Sequence, residues 1–178
     1  MTTYRMKFAF VIGLAILSGC SKGTPATSSS STSNAVAVDG SKYLLSGEPG
    51  EAQEVVAVRE AAQDGDSVVI VGRIGGSADP WIQDRAAFWI VDGSLKACSD
   101  IPGDTCEKPW DYCCETHKLP DSMVLVKVID DSGDLVKANA RALLGVKELS
   151  TVVVQGTAKR DDSGNLTILA RGVYVRGV

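Results

Sequence analysis

Five short β-branched runs, separated by turn residues and interrupted once by a short helical pattern, limit what this chain can fold into. They are SVVIVGRI (67–74), AAFWIVD (86–92), MVLVKVID (123–130), STVVVQGTAKR (150–160) and NLTILARGVYVR (165–176). Val, Ile and aromatic side chains suit a pleated, half-buried surface. In the third run Val124, Val126 and Val128 fall on one face and Leu125, Lys127 and Ile129 on the other, the period of a strand. The last two runs flank Asp161-Asp162-Ser163-Gly164 and read as a hairpin. Gly72, Gly156 and Gly172 lie inside runs, where an isolated glycine marks a bend or bulge. Between the third and fourth runs, ANARALLG (138–145) is Ala/Leu-rich and closes on Gly145, a short helix. Ahead of all five, GEAQEVVAVREAAQDGD (50–66) places Val55, Val58 and Ala62 on one side and ends at Gly65. That spacing predicts an N-terminal helix.

The order helix, three strands, short helix, two strands resembles the OB-fold, a five-stranded, partly open Greek-key barrel. The resemblance covers Ser67 to Arg176 and rests on element order. A β-sandwich needs more strands than these runs supply. The chain is therefore expected to be mostly β, one barrel domain with one N-terminal helix and one short helix between strands 3 and 4. The resemblance implies binding through the loop between the first two strands and the face of the second and third. Trp81, in PWIQDR (80–85), is the candidate ligand contact there.

The first residues, MTTYRMKFAFVIGLAILSGC, carry Arg5 and Lys7 and then an uncharged, largely apolar run of ten residues, Phe8 to Leu17. That run is too short to span a bilayer, which takes about 20 residues, and suits a signal peptide. It ends in Leu17-Ser18-Gly19-Cys20, which resembles the lipobox of bacterial lipoproteins. The resemblance implies cleavage before Cys20, lipid attachment to its thiol and anchoring by more than one acyl chain. Ser21, where an inner-membrane retention signal would show Asp, points by the same resemblance to the periplasmic face of the outer membrane. Residues 1–19 are then the leader, and 20–38 hold the lipidated Cys and a Ser/Thr-rich tether too polar to build a core. Residues 39–178 form the folded domain, of ordinary size for one domain.

That export sets the redox environment for CSDIPGDTCEKPWDYCCETHK (98–118), which holds four cysteines and the single histidine. Disulfides form and persist outside the cytosol, so Cys98, Cys106, Cys113 and Cys114 are disulfide candidates. Of three connectivities, two staple the loop crosswise: Cys98–Cys113 with Cys106–Cys114, or Cys98–Cys114 with Cys106–Cys113. The third joins the adjacent pair at the cost of backbone strain. Trp110 and Tyr112 are placed to pack over the staples. The alternative is a metal centre for zinc or copper(I) built from the four thiols and His117, the right ligand types for either ion. Gaps of seven, six and zero residues depart from the paired Cys-x2–4-Cys spacing of structural zinc sites. A thiol-redox centre lacks the Cys-x-x-Cys motif.

Other functions find less support. Losing Arg5 and Lys7 with the leader takes the basic count from 18 to 16 against 22 acidic residues, a net of −6, without the footprint of a nucleic-acid binder. The patch Lys159, Arg160, Arg171, Arg176 is small enough for an ordinary solvated face. GRIGGS (72–77) matches neither dinucleotide nor Walker A patterns. No G-x-S-x-G elbow accompanies His117, and no catalytic residue is expected. The sequence thus predicts a lipid-anchored, envelope-located, non-enzymatic binding module without a cofactor. Its partners are the membrane and an unspecified protein or small ligand. Its alternative is a zinc- or copper-binding protein using the Cys98–Cys114/His117 loop.

Overall fold

The computed structural model describes residues 38–177; the leader, Cys20 and nearly all of the tether lie outside the described residues. Five strands close into a barrel: β2 (Ser67–Ile74), β3 (Ala87–Val91), β4 (Met123–Val128), β5 (Thr151–Arg160) and β6 (Leu166–Val175), joined in the order β2-β3-β4-β6-β5 and sealed by β5 against β2. All pairings in the barrel are antiparallel except β4 with β6, where Leu125 to Val128 run parallel to Thr167 to Ala170. This is the expected OB-like barrel, with a short helix (Ala140–Leu144) between β4 and β5.

The alternation read in the third run fixes which faces meet. Val124, Val126 and Val128 are fully buried and join Ile70, Phe88, Ile90, Val152, Val154 and Ile168 in one core. Each such side chain contributes about 1.5–3 kcal/mol when removed from water, so a one-residue slip of register would expose a whole row at once. The expected irregularity at Gly156 is a shift of register between Gln155 and Gly156. A Cβ there would stand 2.3 Å from the Leu169 carbonyl oxygen, so β5 and β6 approach each other there only without a side chain.

The helix expected over 50–66 is shorter. Only Val55–Ala61 is helical (α1), and Gln53–Glu54 form a strand, β1, parallel to Ile70–Val71 of β2. The cause is tertiary. β3 reaches only Arg73 and Ile74 of β2, which leaves hydrogen-bonding groups at Ile70 and Val71 for β1 to satisfy. A seven-residue helix is marginal alone, and α1 is held by burial of Val55, Val58 and Ala62 in the core. Its start is capped from another strand's end. Glu54 offers no side-chain cap, and the Val56 amide donates to Asp92 Oδ2 at 2.8 Å. Arg59 donates to the Met123 carbonyl at 2.9 Å, and Arg160 donates to the carbonyls of Ala62 and Arg59. These bonds fix α1 across one end of the barrel. Among the described residues no helix is long and apolar enough to cross a membrane.

Candidate thiol centre

The 31 residues between β3 and β4 fold back onto the outside of the barrel. Leu95, Ala97, Tyr112 and Leu119 bury against Val91 of β3, with Met123 and Leu149 alongside, in a second small core. The two arms of the excursion are tied together by backbone bonds from Cys98 to Asp111 and from Ser99 to Pro109, both 2.8 Å. This zipper brings positions 98 and 113 into contact despite fifteen residues of separation.

Barrel residues hold the excursion in place. Cys98 opens a single 3-10 turn, Cys98–Asp100. Asp100 Oδ2 accepts from the Ala97 amide at 3.1 Å and from Arg73 Nη1 of β2 at 2.5 Å. The Arg73 guanidinium holds the Asp100 carboxyl below its ordinary range. Trp110 Nε1 donates to the Ala78 carbonyl at 3.1 Å. The Tyr112 ring lies on Gly75, where a Cβ would stand 2.6 Å from Cε2. Tyr112 therefore packs against the barrel, in the small core with Val91, and Trp110 is tied to the Ala78 backbone. The Tyr112 hydroxyl is buried without a hydrogen-bond partner, and burial pushes its pKa up.

On this frame the sulfurs converge. Cys113 Sγ lies 3.3 Å from Cys98 Sγ and 3.2 Å from Cys106 Sγ. All three lie within 4.8 Å of one another. Burial falls across the group, with Cys98 buried, Cys106 half-buried and Cys113 exposed. None of the sulfur pairs expected to form crosswise disulfides stands at bonding distance. The closest pairs stand well beyond the ~2.05 Å of an S–S bond. Of the five ligands considered for a metal, the structure gathers three. Cys114 Sγ is 3.9 Å from Cys113 Sγ, yet neither Cys114 nor His117 belongs to the group of mutually close ligand atoms. Both are exposed, in the run of turns that leads from Cys113 to Lys118.

The donor chemistry fits a thiophilic ion. Two thiolates on one zinc at about 2.3 Å each stand roughly 3.8 Å apart at the tetrahedral angle, a spacing that small rotations of these side chains reach. Burial and the Cys113 hydrogen bond push the Cys98 thiol up. Hydrogen bonds from Cys113 and Cys98, with burial and the Asp104 carboxylate, push the Cys106 thiol well above its ordinary range.

Trp81 is engaged within the protein. Its Nε1 donates to Glu148 at 2.9 Å, the Arg141 guanidinium lies 4.7 Å from its ring centre, and Phe88 is 6.0 Å away. Arg141 also pairs with Glu148. In the C-terminal basic patch, Lys159 pairs with Asp64 at 3.0 Å and Arg176 with Glu48 at 2.6 Å, as a solvated face does. Sequence reasoning missed Arg73, Gly75 and Asp100, which position the thiols without joining them. The Gly75-Gly76 pair was the available signal. It reads as a bend from sequence, and in the structure Gly75 is the seat of Tyr112.

No family model matches this chain, and no curated protein matches it.

Proposed function

We propose that this protein is a lipid-anchored, non-enzymatic module of the bacterial envelope that binds a thiophilic metal ion, zinc or copper(I), through Cys98, Cys106 and Cys113. The observation that carries this reading is the convergence of three sulfurs within 4.8 Å on a loop pinned to a closed barrel. Three soft donors at one point are what such an ion rewards. Three thiolates suit trigonal copper(I), whereas zinc would take a fourth donor from solvent or a partner. Anchoring rests on Leu17-Ser18-Gly19-Cys20 and the short apolar leader before it.

A structural reading competes, because the extracytosolic compartment favours disulfides and Cys113 stands beside two possible partners. Intact mass separates the two. The purified protein, native and denatured, is weighed with and without a thiol-alkylating reagent. A metal-sized excess in the native state, with thiols that alkylate on denaturation, supports the metal reading. A mass four hydrogens light, with no alkylation and no metal, overturns it in favour of staples.

A further inference from the structure

The three sulfurs differ in how firmly they are held, and this bears on what an oxidising compartment does to the centre. Cys98 is completely buried. Its turn is fixed at the backbone by Asp111 and Pro109 and through Asp100 by Arg73. Cys106 sits in the irregular stretch between Ile101 and Pro109, where Gly103 has φ +80° and most side chains are exposed. Cys113 is exposed. An oxidant therefore reaches Cys113 first. Closing a sulfur pair from 3.2 Å to about 2.05 Å requires one partner to move, and the Cys106 segment is the one free to do so.

Resting on the metal reading above, we infer that the centre is a redox-controlled metal site, in which oxidation of Cys106 and Cys113 by a low-molecular-weight disulfide expels the ion. The Cys113 thiolate attacks one sulfur of the small disulfide and releases the other half as a thiolate. The Cys106 thiolate then attacks the Cys113 sulfur of the mixed disulfide, forming the Cys106–Cys113 bond and releasing the second small thiolate. Two protein thiolates are oxidised, one small disulfide is reduced to two thiolates, and the metal leaves with its charge unchanged. Cys98 alone remains, a single ligand that does not retain it. Reduction restores the three-sulfur set. Loading and oxidation thus exclude each other because they use the same two sulfurs.

The test uses the full-length chain, reduced and loaded with zinc, then titrated with oxidised glutathione. Zinc release is followed with a chromogenic chelator, thiols by alkylation and the bridge by peptide mapping. The expected result is one zinc released for each pair of thiols lost, a Cys106–Cys113 bridge, and Cys98 that alkylates after denaturation. The Cys114→Ser variant should take up and release zinc like the natural chain. Zinc that stays bound after the bridge forms, or a bridge to Cys98 or Cys114, overturns the redox control while leaving the metal reading intact. A reduced chain that takes up neither zinc nor copper(I) overturns both.

Discussion

The Tyr112 ring rests on the bare backbone of Gly75, so close that a single added Cβ would stand 2.6 Å from its Cε2. This contact joins the thiol-bearing excursion to the barrel. A methyl group at Gly75 has nowhere to go while Tyr112 stays. Gly75→Ala is expected to cost about 1–3 kcal/mol, the usual penalty for overpacking a filled core. Urea unfolding of the variant checks it, and an unchanged midpoint would mean that the ring yields freely.

The same tyrosine makes an opposite prediction. Its hydroxyl is buried and unpartnered, and an unmet buried hydroxyl costs about 1–3 kcal/mol. Tyr112→Phe keeps the ring on Gly75 and removes that cost, so the variant should be more stable than the natural chain by about 1 kcal/mol. Thermal unfolding at matched pH measures it. A loss of stability would show that the hydroxyl has a partner in solution.

Asp100 touches no sulfur, yet it fixes the Cys98 turn through the Ala97 amide and Arg73. Groups that orient metal ligands from outside the ligand set are typically worth 10–100-fold in affinity. Asp100→Asn should weaken zinc binding by about that factor with the barrel intact. Competition with a chelator of known affinity gives the ratio, and circular dichroism verifies the fold.

Metal binding should be strongly pH-dependent. The Cys98 and Cys106 thiols are raised above their ordinary range by burial and by hydrogen bonds within the cluster, so the ion must displace protons to bind. Affinity is expected to rise with pH through neutrality, with proton release visible by calorimetry in buffers of different ionisation enthalpy. The metal-free protein has the opposite slope. Because the folded state holds these protons more tightly than the unfolded chain, its stability falls as pH rises past the usual thiol pKa of about 8.5.

Asp92 is expected to govern acid stability near α1. Burial alone would raise its pKa, but the bonds it accepts from the Val56 and Ser94 amides outweigh that and lower it. Its contribution is present above the ordinary Asp value of about 3.9 and is lost as pH falls through the lowered one. Asp92→Ala should cost about 1–3 kcal/mol at neutral pH and flatten the acid limb of the stability profile. Replacing Cys20 with Ser addresses the other end of the chain, and should move the protein from the membrane to the soluble fraction.

The barrel was legible from local pattern, because β-branched runs of period two, spaced by turns around one short helix, leave few ways to bury Val124, Val126, Val128 and their partners. It also marked the thiols as the chemically exceptional segment, by type and number. Which of them meet is set by long-range contacts. Cys98 and Cys113 are brought together by a backbone zipper and by the docking of Tyr112 on Gly75, contacts between residues far apart in the chain that no local pattern encodes. The shortening of the first helix has the same origin, since Gln53 and Glu54 answer to an open edge of β2 rather than to their own helical spacing. Local patterns fix what each segment can become; the hydrogen bonds and apolar surface left over by its neighbours decide where it goes.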